Sequence, residues 1–372
     1  MIGKTMIIIL LACLFTSLIH AHEIGTAIYQ LTDHSRIETH VPGTQSRELV
    51  IQIWYPAQPS NNQSYVSYLG KTSSIIKKNM SAGWATSEEN FDYLDDMLSH
   101  SVANAPISNQ CTLYPLLIFS PGFGTPYQLY TNYFETLARQ NYIVVALSHT
   151  YNTNPTFFPD GRIIEQCESF KNAQSDVLHD ELETWVADIR FVIDQMGIYN
   201  TNEDHLLSGK IDMHNIGIFG HSFGGAAAMR VCQLDQRMRA CVNMDGKLWG
   251  NTLEQTITIP LMTLLSDAEI NPHAKETDRC AFQLMSHAQN DTYCFMISGA
   301  HHYSFSDDTI LTNYQYCTQD GKALVSFLPF LISSFFDTYL HHQDNQVLGA
   351  LAQHQHMVKR SFIDIGKGFD FI

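Results

Sequence analysis

A serine stands between two glycines directly after a short apolar segment: residues 220–224 read Gly-His-Ser-Phe-Gly. The apolar run at residues 216–219 predicts a strand over 215–219, and the small residues that follow the second glycine predict a helix. A serine in a tight turn between a strand and a helix is typical of a nucleophile elbow, where side chains on the flanking residues would collide with their neighbours. The motif therefore predicts an α/β architecture and makes Ser222 a candidate nucleophile. The backbone N–H of Phe223, at the start of the helix, is a candidate oxyanion donor.

Segments of strand and helix character alternate from Tyr114 onward. Strands are predicted over residues 116–120, 142–148, 215–219, 241–244, 261–265 and 293–298, and helices over 127–140, 177–196 and 323–340. This alternation predicts a mainly parallel sheet with helices on both faces and a ligand site at the carboxyl ends of the strands. Residues 48–55 alternate in polarity and end before Pro56, which predicts an antiparallel edge strand.

The chain has 372 residues, of which 45% are apolar, enough to bury a sizeable core. Because no internal repeat and no linker is visible, residues 22–372 are predicted to form a single domain. Residues 57–110 are rich in serine and asparagine and lack periodicity, which indicates a long excursion that could serve as a lid.

The amino-terminal segment has the composition of a secretory signal peptide. Lys4 precedes an apolar stretch that ends at Ile19, and Ala21 offers a cleavage site. Residues 1–21 are therefore predicted to be removed, and the protein to be secreted or periplasmic. A retained membrane anchor and lipidation at Cys13 are the alternatives.

The net charge and the cysteine spacing bear on which partners, metal sites and disulfides the chain can have. The 37 acidic side chains exceed the 21 basic ones, for a formal charge of -16, and no basic run occurs, so a nucleic-acid partner is not expected. The cysteines after the leader lack the spacing of a metal site, and export would permit disulfides. They are predicted to be buried thiols plus one or two bridges: Cys111, Cys167, Cys232, Cys241, Cys280, Cys294 and Cys317.

A serine nucleophile needs a base, and the base needs a carboxylate that orients it. Asp245 follows the strand after the elbow unit, and Asp267 follows the next strand, so either can be the acid. His302 follows the last predicted strand, with His301 beside it. Successive side chains of an extended segment point in opposite directions, so only one of the two histidines can meet Ser222.

Four segments carry a family resemblance: residues 117–124 (Leu-Ile-Phe-Ser-Pro-Gly-Phe-Gly), 220–225 (Gly-His-Ser-Phe-Gly-Gly), 243–246 (Asn-Met-Asp-Gly) and 299–305 (Gly-Ala-His-His-Tyr-Ser-Phe). Together they resemble the platelet-activating factor acetylhydrolase family, the plasma type of secreted phospholipase with its bacterial relatives. The resemblance implies an α/β-hydrolase fold, whose order of Ser, Asp and His along the chain agrees with the candidates above.

The resemblance also assigns site residues. It implies Asp245 as the acid, because the family's acid follows the strand after the elbow. It implies His302 as the base, because the family's His-x-x-Phe-x-Asp pattern fits His302 and not His301. The amides of Phe123 and Phe223 would form the oxyanion hole.

The sequence departs from the family pattern at two places, and these bear on substrate preference more than on the catalytic mechanism. Ser-Pro-Gly at residues 120–122 replaces the family's usual Ser-His-Gly, and residues 57–110 do not align with the family. Asp307 and Asp308 are interpreted as a solvated helix start.

The predicted function is that of a serine esterase acting on a short or oxidised sn-2 acyl ester of phospholipids, with no cofactor and no metal. A broad-specificity secreted carboxylesterase or polyesterase is the second hypothesis, and a binding module on a hydrolase scaffold the third. The substrate partner would be a phospholipid or another small ester. Contact with a lipid surface would involve the excursion or the helix at 323–340. A metal site is not expected from four histidines in the glutamine-rich terminal stretch: His341, His342, His354 and His356.

Overall fold

A computed structural model describes ten parts of the chain: residues 23–59, 64–83, 85–170, 175–248, 250–268, 271, 274–312, 319–343, 348 and 358–363. The predicted signal peptide, residues 1–21, and Cys317 lie outside the described residues.

Eleven strands of the described chain form one mixed sheet, in the order β13-β12-β11-β10-β9-β5-β6-β2-β1-β4-β3. The strands are β1 (Glu23–Ile37), β2 (Ser46–Ala57), β3 (Tyr65–Ser67), β4 (Leu98–Ala103), β5 (Tyr114–Ser120), β6 (Ile143–Ser148), β7 (Thr156–Phe157), β8 (Ile163–Ile164), β9 (Ile211–His221), β10 (Met238–Met244), β11 (Leu261–Leu265), β12 (Thr292–Ile297) and β13 (Val358–Ile363). From β6 to β13 every neighbouring pair in the sheet is parallel. Beyond β6, strands β2 and β1 pair antiparallel, and β7 and β8 form a separate two-stranded hairpin.

Helices cover both faces of the sheet. They are α1 (Ser73–Gly83), α2 (Thr131–Arg139), α3 (Ser175–Thr201), α4 (Phe223–Leu234), α5 (Ala274–Met285), α6 (Asp308–Leu311) and α7 (Gln319–Tyr339). One hydrophobic core contains the buried faces of α3 and α4, and the other contains those of α2 and α7. Successive residues of β5 enter opposite cores, since Ile118 packs in the first and Phe119 in the second. No helix in the described ranges is long and apolar enough to span a bilayer.

The predicted strands and helices after Tyr114 are confirmed, with bounds that differ by a few residues. The prediction that residues 48–55 form an edge strand is wrong, because β2 lies between β6 and β1. The antiparallel direction is confirmed. The covering strand β1 begins only two residues after the predicted leader, and β13 extends the far edge of the sheet by parallel pairing with β12.

The described part of the excursion, residues 65–83 and 85–103, folds onto the sheet. Strand β4 pairs parallel with β1, and β3 pairs with β4, so the excursion supplies the last two strands at that edge. Between them, α1 and a 3₁₀ helix (Glu88–Leu94) build a small apolar cluster that includes Leu311 of α6. That this excursion acts as a lid stays a prediction.

Cys111, Cys167, Cys232 and Cys241 are free thiols. Of these, Cys232 and Cys241 are buried. Cys280 and Cys294 lie in the apolar interior at α5 and β12.

Candidate active site

Ser222 occupies a strained turn between β9 and α4. Its backbone φ of 55° and ψ of -124° are values that a residue other than glycine rarely adopts. A Cβ at Gly220 would collide with the backbone of Gly224, and a Cβ at Gly224 would collide with the carbonyl oxygens of Ser120 and Pro121. The two glycines of the motif therefore allow the turn, which leaves the Ser222 hydroxyl at the carboxyl edge of the sheet, partly accessible to solvent.

Replacing Gly224 with alanine is expected to destabilise the fold by about 3 kcal/mol or more, because the colliding atoms are backbone and cannot rotate away. Gly197 in α3 is the matched control, since its added Cβ would come no closer than 3.7 Å to its nearest neighbour. Gly197→Ala should gain up to about 1 kcal/mol from helix propensity. Urea unfolding of both variants checks this, and an unchanged midpoint for Gly224→Ala would contradict the steric account.

The structure brings Ser222, His302 and Asp245 together. His302 begins a 3₁₀ turn (His302–Phe305) after β12, and its Nε2 lies 2.9 Å from the Ser222 Oγ. Its Nδ1 lies 2.7 Å from the Asp245 Oδ2. The His302 side chain is 33% exposed and that of Asp245 is 1% exposed, so the hydroxyl and imidazole face solvent while the carboxylate is enclosed.

The backbone between neighbouring strands sets the position of Asp245. The Ser222 N–H donates to the Met244 carbonyl, and the Asp245 N–H donates to the carbonyl of Leu264. Asp245 has a φ of 53°, a value that residues other than glycine rarely adopt. Its second carboxylate oxygen accepts hydrogen bonds from the N–H and the hydroxyl of Ser266, both at 2.9 Å.

The two alternative residues occupy different places. Asp267 accepts the Gly299 N–H at 2.9 Å, and its own N–H donates to the carbonyl of Ala300. It therefore supports the loop that leads to His302. His301 caps the 3₁₀ turn through reciprocal hydrogen bonds with Ser304, and it is exposed.

The side chains of the two residues that carry the candidate oxyanion donors are in contact. The rings of Phe123 and Phe223 pack edge to face with centroids 5.4 Å apart. Phe223 is the first residue of α4, so its N–H has no acceptor within the helix. The loop at Phe123 is anchored by the Gly124 N–H, which donates to the Asn152 carbonyl at 3.0 Å.

A second Ser-His-Asp array lies beneath this loop. The Ser120 Oγ is 3.0 Å from the His149 Nε2, and the His149 Nδ1 is 2.9 Å from Asp188. All three residues are fully buried, and burial lowers the pKa of His149. The same residue types thus occur twice, but only the array at Ser222 is accessible to a substrate.

A cavity of about 500 Å³ lies next to residues 150 and 151. Its lining is mostly polar: Thr32, Glu38, Gln45, Ser46, Glu48, Thr150, Tyr151, Phe158, Arg162 and Ile164. None of these residues belongs to the array at Ser222, so the cavity is not the substrate site of that array.

The interpretation of Asp307 as part of a solvated helix start is wrong. Asp307 is buried, and it accepts hydrogen bonds from the Tyr68 hydroxyl and the Asn132 N–H. Tyr68 belongs to the excursion, which therefore contacts the segment that follows His302. Burial raises the pKa of Asp307 to about 8, and the nearby carboxylates of Glu135 and Asp308 add to that effect.

This burial predicts a pH-dependent stability. An aspartate in an unfolded chain ionises near pH 4, so between about pH 4 and 8 the folded state holds a proton that the unfolded state has lost. Stability is therefore lost as pH rises through this window. In Asp307→Asn the amide oxygen can still accept from Tyr68, and this dependence should vanish.

The measurement is the Tm of both proteins from pH 5 to 8.5. The Tm of Asp307→Asn relative to the wild type should rise steadily with pH, whereas the exposed Asp204→Asn should show no such trend. Parallel curves for the wild type and Asp307→Asn would contradict the raised pKa.

Sequence reasoning missed two residues that contact the site, His221 and Tyr130. The Tyr130 hydroxyl lies 2.7 Å from the His221 Nδ1, and the His221 Nε2 lies 3.0 Å from the carbonyl oxygen of His302. The motif names position 221 only as a variable residue between glycine and serine, so nothing in the sequence pointed to these contacts.

The sheet order, the elbow after β9 and the helices on both faces define the α/β-hydrolase class. A solved structure described as ferulic acid esterase from Streptomyces cinnamoneus is similar, with a TM-score of 0.71 and 25% identity, covering 90% of this chain and 93% of that one. The predicted fold class is thereby confirmed.

Within this class, the family model described as platelet-activating factor acetylhydrolase, isoform II, matches residues 29–173 and 190–317. The chain belongs to this family, as its motifs predicted.

Three curated relatives agree with the family. A probable 1-alkyl-2-acetylglycerophosphocholine esterase of Arthroderma benhamiae is 33% identical over 37% of this chain and 33% of its own length. Platelet-activating factor acetylhydrolases of Cavia porcellus and Bos taurus are 24% and 22% identical over 54% and 71% of this chain. The chain spans 50% and 64% of the lengths of those two proteins.

Proposed function

We propose that this protein is a secreted serine esterase that removes a short or oxidised sn-2 acyl chain from phospholipids. Ser222 is the nucleophile, His302 the general base and Asp245 the carboxylate that orients it. The observation that carries the proposal is the continuous pair of hydrogen bonds from Ser222 Oγ to His302 Nε2, 2.9 Å, and from His302 Nδ1 to Asp245, 2.7 Å.

The mechanism follows from the donors and acceptors. Asp245 accepts the Nδ1–H of His302, which leaves Nε2 free to take the proton of Ser222 as the hydroxyl attacks the ester carbonyl. The amides of Phe123 and Phe223 donate to the tetrahedral oxyanion. His302 then protonates the leaving alcohol and afterwards activates the water that hydrolyses the acyl-enzyme. No step requires a cofactor or a metal.

Two considerations support the choice of phospholipid. One curated relative is named a probable 1-alkyl-2-acetylglycerophosphocholine esterase and another a platelet-activating factor acetylhydrolase, and the family model of the latter name matches this chain. A short acyl group also suits a nucleophile whose oxyanion donors lie next to packed aromatic rings, since Phe123 contacts Phe223 and Trp185. The predicted signal peptide, residues 1–21, would direct export and be removed in the process. Amino-terminal sequencing of protein from the culture medium would test this. Contact with a lipid surface stays a prediction.

The test compares kcat/KM on three esters: 1-alkyl-2-acetyl-glycerophosphocholine, the same lipid with a long sn-2 chain, and methyl ferulate. We expect the acetyl lipid to exceed the long-chain lipid by about a hundred-fold or more, a ratio that a pocket closed to long chains can produce. Activity in EDTA should equal that without it. No hydrolysis of the acetyl lipid would contradict the substrate assignment.

A broad-specificity carboxylesterase is the second candidate. It is favoured by the likeness to the ferulic acid esterase, which covers 90% of this chain. Methyl ferulate or a polyester film hydrolysed faster than the acetyl lipid would establish it in place of the first. A non-catalytic binding module is the third, and absence of turnover on every ester would favour it.

A further inference from the structure

His221 lies at the centre of the site without contacting the reacting hydroxyl. It is the last residue of β9, it is 2% exposed, and its ring packs against that of His302 with centroids 4.6 Å apart. Both of its ring nitrogens have hydrogen-bond partners, the Tyr130 hydroxyl and the His302 carbonyl oxygen.

These partners fix the tautomer of His221. A carbonyl oxygen can only accept, so the His221 Nε2 must carry the proton that is donated to His302 across 3.0 Å. In a neutral ring the Nδ1 is then the acceptor, and the Tyr130 hydroxyl must be the donor across 2.7 Å. Burial, together with the adjacent His302, holds the pKa of His221 well below its ordinary value, so the ring stays neutral. Both ring nitrogens are occupied by these hydrogen bonds, so His221 is not placed to replace His302 as the base.

The same tyrosine reaches the oxyanion loop. The Gly122 N–H donates to the Tyr130 hydroxyl across 3.4 Å, and Gly122 directly precedes Phe123. One directed chain of hydrogen bonds thus runs from Gly122 through Tyr130 and His221 to the carbonyl of His302. It connects the oxyanion loop, the elbow and the loop of the base.

We propose that His221 and Tyr130 are positioning residues, which hold the His302 backbone and the oxyanion loop in register with Ser222. This inference rests on the proposed function. The reaction needs the imidazole and the oxyanion donors within about 0.5 Å of their productive positions, which a short loop after β12 does not supply alone. The hydrogen bond at the His302 carbonyl fixes the point from which its side chain emerges.

The first experiment replaces His221 by glutamine or by methionine. Glutamine can still donate an N–H toward the His302 carbonyl, whereas methionine has a similar volume and no donor. We expect His221→Met to lower kcat about thirty-fold, as expected for a buried carbonyl left without its donor, and to change KM less than two-fold. His221→Gln should recover at least half of the loss on a logarithmic scale. Tm is measured on both.

The second experiment replaces Tyr130 by phenylalanine, which preserves the ring and its packing. We expect about a ten-fold lower kcat, because the buried His221 Nδ1 loses its donor and the Gly122 N–H loses its acceptor. Tyr127→Phe is the matched control, a buried tyrosine on the same 3₁₀ turn (Tyr127–Tyr130), and it should keep kcat within two-fold. In the double variant His221→Met with Tyr130→Phe, kcat should fall no further than in His221→Met alone, because the two residues act in one chain.

Three results would overturn the inference. Wild-type kcat in both His221→Met and Tyr130→Phe, with Ser222→Ala inactive, would remove the positioning role and leave the proposed function intact. If His221→Gln and His221→Met lost the same kcat and the same Tm, the donated hydrogen bond would play no part, and His221 would be a packing residue. Full activity in Ser222→Ala would overturn the proposed function, and this inference with it.

Discussion

Replacing Ser222 with alanine is expected to lower kcat about a million-fold, the loss seen when serine hydrolases lose their nucleophile. In the proposed mechanism the oxygen of this hydroxyl attacks the ester, and the His302 Nε2 lies 2.9 Å away, where it can take the proton. A fluorophosphonate probe should label the wild type and not the variant, because the probe forms its bond only with an activated serine.

Ser120 offers the matched control. It too is hydrogen-bonded to a histidine that contacts an aspartate, His149 and Asp188, but it has no access to solvent. Ser120→Ala should still be labelled. It should lose about 1–3 kcal/mol of stability, since the buried His149 Nε2 loses its partner. Labelling of Ser222→Ala at the wild-type rate would remove Ser222 from the mechanism.

Much of the fold could be predicted from the sequence because the buried parallel strands are continuous apolar runs. Strand β11 was predicted at its observed bounds, Leu261–Leu265, and β5, β9 and β12 within a few residues. The segments that were recognised lie between covered faces, so they are mostly apolar and the pattern is clear. The long helix α3 was equally visible, since its apolar residues recur at helical spacing.

The edge of the sheet could not be predicted, for a physical reason. Strand β1 has exposed and buried residues in irregular order, and it acquires its partner β2 only through a turn across residues 38–45. Strands β3 and β4 are three and six residues long, and their pairing depends on contacts distant in sequence. When β1 is not recognised, β2 is taken for the strand at the edge of the sheet.

The site was predictable where a motif fixes backbone geometry, and not where a contact joins distant side chains. The glycines around Ser222 mark a turn that can be recognised from sequence alone. Spacing left Asp245 and Asp267 equivalent, because both follow neighbouring strands, and only the resemblance preferred Asp245. Tyr130 and His221 are 91 residues apart, and a hydrogen bond between them leaves no local pattern.

Replacing Asp245 with asparagine is expected to lower kcat about ten-thousand-fold with little change in KM, the loss expected when the orienting carboxylate of such a triad becomes an amide. Ser266 donates two hydrogen bonds to one oxygen of the carboxylate, so the amide oxygen will stay there and the NH₂ will face His302. The Nδ1 of His302 must then accept, which moves the imidazole proton to Nε2. A protonated Nε2 cannot take the proton of Ser222.

Asp267→Asn is the matched control, since Asp267 also follows a parallel strand of the same sheet and its oxygen accepts a backbone N–H, that of Gly299. An amide oxygen can accept that hydrogen bond equally well. We therefore expect Asp267→Asn to keep kcat within about ten-fold of the wild type, because it changes the support of the His302 loop and not the tautomer. A larger loss in Asp267→Asn than in Asp245→Asn, at equal Tm, would move the acid one strand along the sheet. It would then be Asp267 that orients His302 during the reaction, in a conformation other than the one in which Asp245 lies 2.7 Å from the imidazole.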